Sequence, residues 1–284
     1  MYALDSETAL KKFKTLMINE RKSPNTVKEY SFMAGIFLKF LSKPPESIGA
    51  EDIERFKTHL VVDRNYSKSS QYLAIKALKH FFSSLSIPPP RNLTVPKRSL
   101  KTPNYLSDSE TKKFLSASSA DPVDRVIVLL LVYTGMRVSE LCSLRTENVD
   151  LDSSIIRIRS GKGDKDRIVL IPEYVSRELK PYYMERIVKS DQSAFFLISS
   201  RGTRFDTSTV ERHIRKIAQK AGIMRKVTPH VLRHTFATSI LRNGGDIRFI
   251  QQLLGHASVA TTQIYTHIDD ESLRVLYEKF QPRY

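Results

Sequence analysis

Thr228-Pro229-His230-Val231-Leu232-Arg233-His234-Thr235-Phe236-Ala237-Thr238 sets a histidine and an arginine three residues apart, beside the apolar Val231, Leu232 and Phe236. On a helix that spacing is one turn, so His230 and Arg233 can face one phosphate. Downstream lie Leu254-Gly255-His256 and Thr261-Thr262-Gln263-Ile264-Tyr265. Upstream, Tyr133-Thr134-Gly135-Met136-Arg137-Val138-Ser139-Glu140-Leu141 adds a second arginine, and Gly161-Lys162-Gly163 adds a lysine. Guanidinium, imidazole and phenol groups together are the parts needed to hold a phosphodiester and attack it without a metal.

The 284-residue chain is long enough for one large domain or two ordinary ones, and its 40% hydrophobic residues can bury a core. Its net charge of +16 favours a polyanionic partner. Up to residue 100 there are 17 Lys+Arg against 9 Asp+Glu, and from 101 onward 29 against 21, so each part carries +8. The charge therefore runs through the whole body, as suits a protein lying along a polymer, although charge alone also fits a solvating surface or an anionic membrane. There is neither a run of 18 apolar residues nor a basic segment ahead of an apolar one, so no membrane span or leader is expected. The one cysteine, Cys142, has no intrachain disulfide partner and sits in an apolar periodic segment, where a buried thiol and a reducing cytoplasm are expected.

Residues 1–87 read as four amphipathic helices, a small bundle. Their stripes are Ala9, Phe13, Leu16 and Met17; Phe32, Ile36, Phe37, Phe40 and Leu41; Ile53, Phe56 and Leu60; and Tyr72, Ile75, Leu78, Phe81 and Phe82. Ser23-Pro24-Asn25-Thr26 supplies a helix start before Val27. Residues 88–104 are basic and Pro-rich, a linker whose cations either track a nucleic-acid backbone or merely face solvent. From 105 to 284 the chain is mixed. Ser107 and Glu110 have capping-box spacing, and Arg125 to Tyr133 is an apolar run best read as a buried helix. Ile156, Ile158, Ile168, Leu170 and Pro172 alternate with Arg157, Arg159 and Val169 around a Gly-bearing loop, which predicts a β-hairpin. Helices return from Ser208. The expected fold is thus mainly α with two domains, a helical bundle and an α+β domain holding a small antiparallel sheet.

Phosphodiester strand transfer needs a nucleophile, cations around the non-bridging oxygens and an acid for the leaving 5′ oxygen. Arg137 and Arg233 are the candidate clamp, because a guanidinium is always charged and donates bidentately. Each lies in an apolar helical context, where an ion pair with a carboxylate such as Glu140 is the plainer reading; Glu140 is expected to orient Arg137 rather than neutralise it. His230 either accepts the nucleophile's proton or donates to the phosphate, and His256, after a glycine, is expected to donate to a non-bridging oxygen. His234 is read as structural. His230 and His234 are four apart, but Val231 stands where a zinc metalloprotease needs Glu, so no metal is expected. Lys162 suits protonation of the leaving oxygen, with Lys165 and Arg167 as neighbours for plainer phosphate contacts. Tyr265 is the candidate nucleophile: an aryl phosphodiester keeps the bond energy for resealing, and among twelve tyrosines only the context Gly255-His256 and Thr261-Thr262-Gln263-Ile264-Tyr265-Thr266-His267 singles this one out.

In this order, Arg, Lys, His-x-x-Arg, His and Tyr resemble the signature of the tyrosine recombinases, the family of phage integrases and Xer proteins. The likeness covers about the last 180 residues strongly, and Lys22 to Tyr30 looks like the opening of that family's helical, SAM-like core-binding domain. The resemblance implies that Arg137, Lys162, His230, Arg233, His256 and Tyr265 are the catalytic set, acting through a 3′-phosphotyrosyl intermediate with no cofactor. Met136 and Ser239 stand where relatives often carry Leu and His. With no arm-binding domain ahead of residue 1, a compact archaeal Xer-like protein is expected, active in chromosome dimer resolution; a type IB topoisomerase-like enzyme and a mobile-element integrase share the chemistry. The partner implied is double-stranded DNA, gripped by both domains in a C-shaped clamp by a dimer on one site and a tetramer at synapsis. Expected DNA contacts are Thr26, Lys68 and Lys76 in the first domain and Arg212, Arg215 and Lys216 on a major-groove helix. The stripe Leu273, Leu276, Tyr277 and Phe280 marks a terminal helix, about 271–284, that either caps its own domain or, as preferred here, docks into a neighbouring subunit.

Overall fold

The computed structural model describes residues 5–94, 104–159, 166–188, 193–199, 201–255 and 270–284, with the side chains of 270–274 left out. Lys162, Lys165, His256, Tyr265 and Leu273 therefore fall outside the described side chains, as does the central part of the expected linker. The chain divides into two compact units, Met1–Lys101 and Thr102–Tyr284.

In the first unit the helices are α1 (Ser6–Asn19), α2 (Pro24–Leu41), α3 (Ala50–Val62) and α4 (Lys68–Ser84). Side-chain caps start three of them: Asp5 accepts from the Glu7 and Thr8 amides, Ser23 from Thr26 and Ser67 from Ser70. Phe13, Phe37, Phe56, Phe81 and Phe82 are fully buried and meet mostly edge to face. Phe32 departs from expectation: it is 56% exposed, because Met33, Ala34, Phe37, Leu38 and Leu41 form the inward stripe of α2 and Phe32 lies off it. Of the residues expected to be linker, Leu93 is buried in this core, and the Lys57 ammonium donates to the Asn92 carbonyl at 2.8 Å.

The second unit begins with α5 (Asp108–Ala117), whose Ser107–Glu110 capping box forms as the spacing predicts. Next come α6 (Pro122–Thr134) and α7 (Val138–Ser143). Every residue of α6 from Val126 to Thr134 is buried, so it is a central helix enclosed on all sides. Asp121 caps its start, and Gly135, with φ +60°, ends it. A Cβ at Gly135 would stand 2.5 Å from Phe236 Cδ1 and 2.8 Å from Leu254 Cδ2, so both conformation and space require glycine.

Three short strands follow, β1 (Val149–Asp150), β2 (Ile155–Ile158) and β3 (Arg167–Leu170), antiparallel in the order β1-β2-β3. The register corrects the sequence reading. Ile156 pairs with Val169 and Arg157 with Ile168, so Val169, not Ile168 or Leu170, shares the face of Ile156. Both faces bury apolar side chains: Ile156, Ile158 and Val169 join the main core, while Leu170, Ile155 and Ile168 pack into a second cluster with Phe236, Ile240, Phe249 and Leu253. Loop length sets the register, and a sheet sandwiched between two clusters hides the alternation expected of a half-exposed hairpin.

The remaining helices are α8 (Glu173–Val188), α9 (Thr207–Lys220), α10 (Pro229–Arg242), α11 (Ile247–Leu254) and α12 (Asp270–Phe280). The preferred reading of the tail, docking into another subunit, is not the arrangement of the single chain. Tyr277 is buried in the second cluster of its own domain, and its hydroxyl donates to the Tyr133 carbonyl at 3.1 Å, filling a vacancy at the end of α6. The Asn243 amide donates to the Gln281 carbonyl at 2.7 Å, and the Tyr284 ring lies 5.5 Å from that of Tyr133. No described helix is long and apolar enough to cross a membrane.

Candidate active site

Three helix ends and one strand meet where the candidate residues lie. Arg137 is not within a helix, as its apolar context suggested; it is the extended residue (φ −70°, ψ 149°) that starts α7 after Gly135 has stopped α6. The Glu140 carboxylate accepts from the Arg137 amide at 2.6 Å and from its guanidinium at 2.9 Å. The same carboxylate takes both terminal nitrogens of Arg167, each at 2.8 Å. Glu140 is thus shared, and Arg137 is oriented by an anion that another cation already occupies.

Arg233 projects from α10 and is 7% exposed. It donates to the Gly135 carbonyl at 2.7 Å and to the Leu254 carbonyl at 2.8 Å. Arg137 in turn reaches the Gly255 carbonyl at 3.4 Å, and Arg167 Nε the Leu253 carbonyl at 2.9 Å. Three arginines from three elements therefore converge on three consecutive carbonyls at the end of α11, where helix termini leave acceptors unsatisfied. His230 lies one turn before Arg233 on the exposed side of α10. Gly255, the residue ahead of His256, is in the left-handed region (φ +64°).

Sequence reading missed Arg167 as a structural partner. Its side chain is only 7% exposed, against 8% for that of Glu140. The available signal was period-two parity: Arg167 shares a strand face with Val169, an interior position where a cation needs an anion. His234, expected to be structural, is exposed on α10. Desolvation first, then the charges of His230 and Arg233, hold its pKa below the ordinary histidine value.

Burial pushes the Glu140 pKa up, but the Arg167 hydrogen bonds, the Arg137 amide and the two positive charges outweigh it, so the carboxyl titrates below the usual range. Tyr133, Tyr174, Tyr182, Tyr277 and Tyr284 all have phenols raised above the ordinary value, first of all by burial, which disfavours the phenolate a nucleophile needs. Burial likewise lifts the Cys142 thiol to about 11. Among the described residues no three His, Cys, Asp or Glu side chains gather to hold a metal.

A second candidate surface is α9. Its Val210, Ile214, Ile217 and Ala218 are buried, while Arg212, Arg215 and Lys216 are exposed. His213 holds the helix to α6 through the buried Asp124 at 2.5 Å and stacks on Phe205. In the first unit, Lys68 and Lys76 are exposed on α4, and the Thr26 hydroxyl is hydrogen-bonded to that of Ser23 at 2.8 Å.

Comparison with known proteins matches residues 104–272 to the model of the phage integrase family and residues 10–86 to that of the phage integrase N-terminal SAM-like domain. The chain belongs to the phage integrase family, the tyrosine recombinases. It is 40% identical to tyrosine recombinase XerA of Thermococcus kodakarensis over 95% of this chain and 94% of that one. To tyrosine recombinase XerA of Pyrococcus furiosus it is 39% identical, over 95% and 93%. A crystal structure of XerA recombinase is 54% identical with a TM-score of 0.54, covering 99% of this chain and all of the other. A XerH site-specific recombinase in a pre-cleavage complex with its difH substrate shares the fold, with a TM-score of 0.72 at 21% identity over 97% of each chain. The recombinase is thus similar along its whole length to Xer tyrosine recombinases, those of archaea included.

The lowered Glu140 pKa fixes the sign of one pH effect. The stability it contributes is fully present above the unfolded glutamate value of about 4.3 and is lost as pH falls through the lower folded value. In urea titrations the gap between wild type and Glu140→Gln should be constant from pH 7 to 5 and narrow below about 4.3. A gap that widened in acid would contradict this.

Proposed function

We propose that this recombinase cleaves and rejoins duplex DNA at a specific site through a 3′-phosphotyrosyl bond at Tyr265, with no metal or nucleotide needed. The observation that carries the reading is the convergence of Arg137 and Arg233 on neighbouring carbonyls of α11, with His230 one turn from Arg233. Two guanidiniums so placed hold the non-bridging oxygens of one phosphodiester and stabilise the charge that grows on them in the transition state. The Tyr265 oxygen forms a bond to phosphorus as the bond from phosphorus to the 5′ oxygen breaks. His230 serves the phenol and phosphate side, His256 donates to a non-bridging oxygen, and Lys162 protonates the departing 5′ oxygen. The reverse sequence, with another 5′ hydroxyl as nucleophile, reseals the strand and conserves the bond energy.

Residues 1–87 and 105–284 act as two DNA-holding domains joined through 88–104. Thr26, Lys68 and Lys76 meet the backbone from the first, and α9 presents Arg212, Arg215 and Lys216 to the major groove. By similarity to the XerA proteins, the role is Xer-like resolution of chromosome dimers in the cytoplasm, by a dimer on each site and a tetramer at synapsis. There α12 leaves its own domain and docks into a neighbour.

Genomic fragments selected for binding supply the site, and a duplex of that site, nicked beyond the scissile phosphate, traps the intermediate. Wild type should accumulate a protease-sensitive adduct and Tyr265→Phe none; an adduct from the variant would overturn the reading. Replacing Arg212, Arg215 and Lys216 together by alanine should reduce the slope of log K against log salt by roughly 2–3. An unchanged slope would remove α9 from the interface. With two site-bearing plasmids, a chain truncated before residue 271 should bind single sites yet lose exchange between plasmids. Undiminished exchange would exclude docking by α12, and relaxation without exchange by the full chain would mark a topoisomerase instead.

A further inference from the structure

Arg167 lies on β3, outside the proposed catalytic set, yet it touches the supports of two members of that set. Its Nη1 and Nη2 take one oxygen each of Glu140 at 2.8 Å, and its Nε takes the Leu253 carbonyl at 2.9 Å. That uses a planar guanidinium on three sides, which an ammonium cannot reproduce. Gly255 bears on the same point independently. A Cβ there would stand 3.0 Å from both Cδ and Nη1 of Arg167 and 3.3 Å from its Cζ. The backbone at Gly255, just ahead of His256, thus passes so close over the Arg167 side chain that a larger residue would require Arg167 to shift by a few tenths of an ångström.

The charge balance gives this contact a chemical consequence. Glu140 also accepts from the Arg137 guanidinium at 2.9 Å. Because Arg167 engages both carboxylate oxygens, the anion orients Arg137 without being its undivided counterion. Remove Arg167, and the carboxylate collapses onto Arg137, drawing the guanidinium away from a phosphate and cancelling its charge.

We propose that Arg167 is a positioning residue for strand transfer: it holds Glu140 so that Arg137 stays aimed and charged, and it seats the end of α11 ahead of His256. This rests on the phosphotyrosyl reading above. It differs from a phosphate-contacting role for Arg167, since the side chain is engaged within the protein.

The test uses the nicked duplex, with single-turnover cleavage measured well below each variant's melting midpoint. Arg167→Met should bind the duplex within about two-fold of wild type but cleave it roughly 100-fold more slowly, the size expected when a catalytic group is misplaced by about an ångström. Arg167→Lys should recover little of this, lacking the three-sided geometry. Adding Glu140→Gln to Arg167→Met removes the stranded carboxylate, and should raise the cleavage rate about ten-fold over Arg167→Met alone, a factor equal to about 1.4 kcal/mol of barrier. A purely structural role gives no such rescue of rate: neutralising the stranded carboxylate would restore stability, which leaves the cleavage rate unchanged well below the melting midpoint. Wild-type cleavage by Arg167→Met, or a double variant no faster than the single one, overturns the inference. If wild type itself forms no adduct on this duplex, the phosphotyrosyl reading fails instead, so the two failures are distinguishable.

Discussion

The carboxylate of Glu140, shared between two guanidiniums, is the constraint on which the arrangement of the second unit depends. Burying an ion costs several kcal/mol unless hydrogen bonds replace its water, and here four donors do so. The consequence reaches beyond the pair. Arg167 brings β3, Arg137 brings α7, and both guanidiniums also grip carbonyls at the end of α11. Arg233 closes the set by tying α10 to the same end and to Gly135. The convergence of the clamp residues is therefore a property of tertiary packing around one anion.

The scaffold beneath this network is built to hold it still. The enclosed helix α6 ends at a glycine that two core side chains pack against, and the next residues deliver Arg137. The sheet separates two apolar clusters, and α10, α11 and α12 share the second of them. A side chain such as Phe236 thus supports the backbone of Gly135 on one side and α11 on the other. Tyr277 completes the cluster and answers a carbonyl of α6, so the tail helix is part of the support for the site in the single chain.

Much of this was legible in the amino-acid order because the signals are local. Ser23, Ser107 and the apolar stripes around Phe13, Phe56 and Phe81 each declare a helix within a few residues. The candidate site was named through a family likeness, since no spacing rule brings Arg137, 96 positions before Arg233, to neighbouring carbonyls. What stayed hidden depends on long-range geometry. The β2–β3 register follows loop length, Phe32 falls just off its helix's inward face, and Arg167 reads as one more basic residue until Glu140 is placed beside it. The tail helix shows the same limit: its stripe announces that it is buried, but not against which surface.

The most direct measurement of the central claim is a structure of the Tyr265→Phe variant bound to its selected duplex. The account predicts that the Arg137 and Arg233 guanidiniums both lie within hydrogen-bonding distance of the non-bridging oxygens of one phosphate, facing residue 265, while Glu140 remains paired with Arg167. Guanidiniums on different phosphates, or Glu140 parted from Arg167 and paired with Arg137 alone, would contradict it.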